Sequence, residues 1–151
     1  MNYYNILTVL VVLVGYSSCT VVKQCSSGGV VPTVEIVSNG VHCLQAPCLV
    51  YTAAPAYINI NFTATDNIPS ITPRYTATTF GLPVPYPVGS NACPELTNVV
   101  CPITKGTLVS YTHKMDIPFF LPRITVGLEI SFTNDGDNSR IFCFNTDVQV
   151  Q

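Results

Sequence analysis

Apolar and polar residues alternate along much of this chain. From Ile124 to Thr133, the residues Ile124, Val126, Leu128, Ile130 and Phe132 fall on one side, and Thr125, Gly127, Glu129, Ser131 and Thr133 on the other. A period of two marks a strand with one buried face. The next strand follows the turn-forming run Asn134-Asp135-Gly136-Asp137-Asn138, so the two form a hairpin, and Phe142, Phe144, Val148 and Val150 share a face in it. From Ala56 to Ala64, Ile58, Ile60 and Phe62 point inward and Tyr57, Asn59, Asn61 and Thr63 outward. From Val109 to Ile117 the inward series is Val109, Tyr111, His113, Met115 and Ile117. Weaker strands are expected at 30–37, 49–52 and 74–80. No segment carries a 3.6-residue apolar period. The pattern predicts an all-β fold of about seven antiparallel strands in two packed sheets.

Two proline-rich segments break the alternation. Gly81-Leu82-Pro83-Val84-Pro85-Tyr86-Pro87 cannot sit inside a sheet, because its prolines lack ladder donors; it reads as an extended edge or a loop. Ile117-Pro118-Phe119-Phe120-Leu121-Pro122 joins two strands. Both are apolar where loops are usually polar. They cap the ends of the core or line the mouth of an apolar cavity.

The first residues change the picture of where this sandwich works. An apolar run from Ile6 to Val14 is followed by Gly15, Ser17, Ser18 and Cys19. Nine apolar residues are too few to span a bilayer, which takes roughly 20. The run reads as an export signal over residues 1–19, with cleavage after Cys19, leaving one domain over residues 20–151. Six further cysteines remain, and an even number in a small exported domain reads as a disulfide framework. Fifteen pairings are open to six cysteines. Loop closure favours the short pairs Cys43 with Cys48 and Cys93 with Cys101, which leaves Cys25 for Cys143. Asn61-Phe62-Thr63 is an N-glycosylation sequon with its Asn on the polar face of a strand.

Composition excludes several classes. The net charge is −2 and only 9% of residues are charged, so no basic surface exists for nucleic acid and no polybasic patch for an anionic membrane. At 48% hydrophobic, the chain has apolar surplus for a core, a ligand cavity or an exposed patch. There is no Gly-x-Ser-x-Gly, no His-Glu-x-x-His and no glycine-rich phosphate loop, and no carboxylate pair suits glycoside hydrolysis. The reading is a non-enzyme without cofactor. Two histidines, and cysteines that are oxidised outside the cell, offer no metal site.

Cys101-Pro102-Ile103-Thr104-Lys105-Gly106, Tyr111, Pro122-Arg123-Ile124, the strand holding Glu129, and Phe142-Cys143-Phe144 together resemble the ML domain, the MD-two-related lipid-recognition fold. Within it the chain is similar to the Niemann–Pick type C-two (epididymal secretory) proteins and the group-two mite allergens. The likeness covers nearly all of residues 20–151. It implies an immunoglobulin-like sandwich whose sheets part to hold a lipid, and the same three cysteine pairs. It implies mouth positions at Tyr86, Ile117 and Leu121. The sterol carriers place aromatic residues at the position of Leu121 and Trp in their last two strands, where this chain has Ile130 and Phe144.

The implied function is a secreted lipid-binding and lipid-transfer protein, extracellular or lysosomal, monomeric, holding a sterol, fatty acid or similar hydrophobic molecule, with transient docking on a membrane or lipid transporter. The lining would come from Ile58, Ile60, Phe62, Tyr111, Met115, Ile117, Val126 and Leu128, with Tyr86, Phe120 and Leu121 at the gate. The Tyr86 or Tyr111 hydroxyl, or His113, would orient the polar end of the ligand. A histidine on an apolar strand face is, however, more often a satisfied structural residue. Alternatives are a carrier of semiochemicals or a lipid-presenting immune co-factor. An adhesion sandwich fits less well, because the chain lacks the Trp that packs on the inter-sheet disulfide of such domains.

Overall fold

The structure, a computed structural model, describes residues 18–151. The expected export signal lies outside the described residues but for Ser18 and Cys19. Among the described residues no helix is long and apolar enough to cross a membrane.

Among the described residues ten strands form two sheets: β1 (Lys23–Gln24), β2 (Thr33–Ser38), β3 (Val41–Cys43), β4 (Cys48–Val50), β5 (Pro55–Thr63), β6 (Ile71–Thr79), β7 (Leu82–Tyr86), β8 (Leu108–Asp116), β9 (Thr125–Asn134) and β10 (Arg140–Val150). One sheet runs β1-β10-β9-β6-β7, with β4 also paired to β10, and the other runs β3-β2-β5-β8. The strongly alternating segments became the long strands. The count exceeds about seven because β1 and β3 are too short to show a period, and because the proline-rich segment is itself a strand. Pro83 and Pro85 sit in β7 at the sheet edge, opposite Thr78 and Thr76; an edge strand tolerates proline where the missing donor would face away from its neighbour. One pairing departs from the antiparallel expectation, since β4 runs parallel to β10, with Val148 opposite Cys48.

Two tight hairpins show different chemistry. Asn39-Gly40 joins β2 to β3 with positive φ at both residues, as a two-residue turn demands. Phe80-Gly81 joins β6 to β7 the same way, placing a bulky ring in a conformation such residues rarely adopt. That ring is 89% exposed.

All three expected disulfides are present: Cys25–Cys143, Cys43–Cys48 and Cys93–Cys101. Their placement is asymmetric. Cys43–Cys48 joins β3, the edge of one sheet, to β4, which belongs to the other. At the opposite side the sheets end in β7 and β8, which do not pair with each other. A disulfide fastens the two sheets along one edge; along the other, unfastened in this sense, they are joined by no disulfide and no strand pairing.

Candidate functional site

The space between the sheets has two unlike ends. At the end where β5 finishes and β8 begins, it is filled by rings. Phe62 lies 5.3 Å from Phe142 and 6.5 Å from Phe132, while Phe132 lies 4.5 Å from Phe142 and 4.8 Å from Tyr111. Ile58, Ile60, Phe132, Phe142 and Phe144 have no exposed surface, so no water-sized void adjoins them. Backbone bonds also tie loops down at this end, from Ala92 N–H to the Ile71 carbonyl of β6 at 2.9 Å and between Ile68 and Ile103. Of the residues expected to line a cavity, Ile58, Ile60, Phe62 and Tyr111 are buried in the core between the sheets.

The other end is where β8 finishes and β9 begins. Its inner-face positions are small or hydroxylated: Ser38 on β2, Ala56 on β5, Ala77 and Thr79 on β6, and Thr146 on β10. Register places Ser38 opposite Ala56, Ala56 opposite Met115, and Ala77 and Thr146 both opposite Leu128. Met115 and Leu128 are slightly exposed, and Val126, Ile117, Leu121 and Tyr86 are half-buried against the core. The expected lining residues Met115 and Leu128 belong to the buried core cluster, and Val126 and the expected mouth residues Tyr86, Ile117 and Leu121 pack against that cluster as half-buried side chains. Phe120 does not close the gate. It is exposed, edge to face with Phe119 at 5.7 Å. Leu82 and Val84 share a strand face with Tyr86 yet remain exposed, so they extend the lip of this end.

Three buried hydroxyls have no hydrogen-bond partner among the described residues: Ser38 Oγ, Thr79 Oγ1 and Thr146 Oγ1. All three lie on inner faces at this second end. A buried hydroxyl left unpaired costs about 1–3 kcal/mol, so their clustering marks a place the chain holds polar atoms in reserve. Strand parity alone could have found Thr146, which stands between Phe144 and Val148 in the inward series.

A chain of polar groups runs along the unfastened edge. Tyr75, which the sequence reading missed, reaches from β6 to share a 3.2 Å hydrogen bond with Tyr111 of β8. His113 donates from Nδ1 to Glu95 Oε2 at 2.8 Å and stacks on Tyr111. Glu95 belongs to a one-turn 3-10 helix at Cys93–Glu95, inside the loop held by Cys93–Cys101. That loop is held to β8 by a bridge between Leu96 and Tyr111. Burial, and then neighbouring acidic and phenolic groups including Glu95, hold the Tyr75 and Tyr111 phenols far above their ordinary range, so both are neutral. Tyr86 stacks on Tyr75 at 6.3 Å; burial, and then Asp116, push its phenol up.

Open surface grooves lie elsewhere. One of about 610 Å³ runs past Val21, Lys23, Gln45, Ala46, Asn145, Thr146 and Asp147, so Thr146 also borders this groove. It is the gap left on β10 between the short strands β1 and β4, and its rim is polar and charged. The outer faces carry ordinary polar ladders, such as Asn59 donating to Glu35 and Thr112 donating to Asn59. Asn61 stands half-buried on the outer face of β5, between Thr33 and Ser110.

Comparison with known proteins agrees with this fold. The mite group 2 allergen of Tyrophagus putrescentiae is 29% identical over 119 residues, covering 76% of this chain and 81% of the allergen. The NPC intracellular cholesterol transporter 2 of Canis lupus familiaris is 27% identical over 133 residues, covering 85% of this chain and 83% of the transporter. Among solved structures, a Niemann-Pick type C2 protein from the Japanese carpenter ant superposes with a TM-score of 0.71 at 16% identity, covering 87% of this chain and 99% of that one. The family model described as the ML domain matches residues 19–150. The chain belongs to the ML-domain family.

Proposed function

We propose that this protein is an exported carrier that takes a hydrophobic molecule between its two sheets, at the end bounded by Met115, Ile117, Leu121, Val126, Leu128 and Tyr86. The observation that carries the reading is the contrast inside the sandwich. One end is ring-filled. The other combines small side chains, unpartnered inner hydroxyls and a half-buried apolar rim. Family membership supports it, as does the name of the canine relative, a cholesterol transporter.

The physics needs no covalent step. Each methylene transferred from water contributes about 0.8 kcal/mol, so an eighteen-carbon chain gains on the order of 10 kcal/mol before ordering costs. The unfastened edge between β7 and β8 is the way in. Parting it moves Tyr86, Ile117 and Leu121 without breaking a strand pairing, while Cys43–Cys48 holds the far edge as a hinge. Exposed Phe80, Leu82, Phe119 and Phe120 surround this end and would meet a lipid surface during transfer. The leader over residues 1–19, the three disulfides and a glycan on Asn61 fit an extracellular or lysosomal compartment.

The test is to express the glycosylated protein, extract it with organic solvent and identify what is released by mass spectrometry. A sterol, a fatty acid or another single lipid class released in near-molar ratio is expected. The Ile117→Asp variant is expected to lose that lipid while keeping its circular dichroism and melting midpoint. An unmodified protein that yields nothing and takes up no lipid from vesicles would rule out the carrier reading.

A further inference from the structure

A sheet ends in edges, and an edge strand whose backbone groups face outward can take another strand. Among the described residues the edges of this sandwich are mostly blunted. β1 has two residues, and β3 and β4 have three each. In β7, Pro83 and Pro85 remove donors that a further strand would need. β8 is different, being nine residues long at the end of its sheet. Its first half is covered. Ser110 N–H donates to Asn98 Oδ1 at 2.8 Å, Thr97 N–H donates to the Ser110 carbonyl at 2.9 Å, and Asn98 Nδ2 donates to the Leu108 carbonyl at 2.9 Å. The even-numbered residues of β8 therefore turn their backbone groups away from β5. By alternation Thr112, Lys114 and Asp116 do the same, and no backbone bond from outside the sheet meets them among the described residues. Nor does charge blunt this half, as lysine often does at an edge. The Lys114 ammonium lies 3.0 Å from the Asp116 carboxylate, so the two together are neutral.

From this geometry we infer that the open half of β8 pairs antiparallel with the same strand of a second copy, forming a two-fold dimer. Charge and coverage leave one register. Centring the pair on Lys114 sets ammonium against ammonium, and centring it on Asp116 sets carboxylate against carboxylate. Centring it on His113 runs the partner's Asp116 into Ser110, which Asn98 and Thr97 already cover. Centring it on Met115 sets Lys114 opposite the partner's Asp116 and Asp116 opposite the partner's Lys114. Each of these two pairs exchanges both of its backbone hydrogen bonds. The ladder then stops at Pro118, which has no N–H to give to Thr112. Met115, on the inner face, meets its own copy at the axis. Such self-complementarity is what a two-fold interface requires. The inference stands apart from the carrier reading, and it departs from the monomer that the family likeness implies.

The experiment is sedimentation equilibrium on the full-length mature protein from about 10 μM to about 1 mM, the range of weak reversible association. A monomer–dimer equilibrium is expected within it. Lys114→Asp sets carboxylates against carboxylates across the axis, and Asp116→Lys sets ammoniums against ammoniums. Each should weaken the dimer more than about tenfold, because like charges in register suppress pairing. Both substitutions in one chain exchange the signs and should restore the dimer. Mixing the two single variants should restore it as well, as a heterodimer, because each then meets its opposite. Amide hydrogen exchange at Lys114 and Asp116 should slow in the dimer. Melting curves show that the variants fold. A protein that stays monomeric to about 1 mM overturns the inference and leaves this edge to a strand of a different chain. A dimer that both single variants retain, or one that leaves these two amides unprotected, has its interface elsewhere and overturns it too.

Discussion

The two ends of this sandwich are built from the same strands and meet opposite requirements. Where β5 finishes, Phe62, Phe132 and Phe142 press together and backbone hydrogen bonds hold the neighbouring loops. A few residues further along the same strands, the inward positions shrink to Ser38, Ala56, Ala77, Thr79 and Thr146, and the boundary is made of half-buried side chains. Close packing supplies stability, and a binding chamber has to give some of it up. The difference teaches that stability and capacity are divided along the strand axis rather than shared between the sheets.

The largest effects should come from the fastenings. Replacing Cys25 and Cys143 by serine opens a loop with a sequence separation of 118, worth about 5 kcal/mol in the chain-entropy account. The same change at Cys43 and Cys48, with a separation of 5, should cost about 2 kcal/mol. Denaturant midpoints measure both. The shorter link should matter more for function if the sheets part about the edge it fastens, as the proposed carrier requires. Lipid retention should fall further in the second variant than in the first, and the reverse order would show that the sheets do not open about that edge.

Within the interior, Phe132→Ala should cost about 3–5 kcal/mol, since its ring has partners on both sheets. Met115→Ala, at the other end, should cost no more than about 2 kcal/mol, because its surroundings are small and can settle. Equal losses would mean that both ends are packed alike, and the division of labour would fall.

Much of the fold was legible in the sequence because one-sided burial writes a period of two. The long strands β5, β8, β9 and β10 follow directly from alternating Ile, Val and Phe. The cysteine pairs follow from loop length. What escaped was short or weakly contrasted. Two residues cannot display a period, so β1 was invisible; β7 was legible only as an extended edge, since its prolines read as breaks. Tyr75 alternates with Ala77 and Thr79 against Thr76 and Thr78, and the two faces of β6 differ too little to tell in from out. The site was half-legible for the same reason. Its apolar rim, Tyr86, Ile117 and Leu121, stands out because greasy proline-bounded segments are odd at a surface. Its floor does not, because an inward hydroxyl reads as a solvent-facing one. Glu95 belongs to a loop that only the tertiary structure brings to Tyr111 and His113.

The smallest effect is the most discriminating. Thr146 and Val have nearly the same shape, so Thr146→Val removes a hydroxyl and little else. At a position where the hydroxyl is buried without a partner, the substitution should stabilise the empty protein by about 1 kcal/mol, the desolvation cost no longer borne. The same change at Thr133, half-buried on the outer face of β9, should move stability by less than about half a kcal/mol. If Thr146 serves the chamber, the gain in melting temperature comes with weaker retention of the extracted lipid. A variant that is both more stable and equally retentive would place the hydroxyl outside the ligand's reach and confine the chamber to the β7–β8 side. A variant that loses stability would mean that Thr146 has a partner in the folded protein, and the contrast between the two ends would lose one of its three markers.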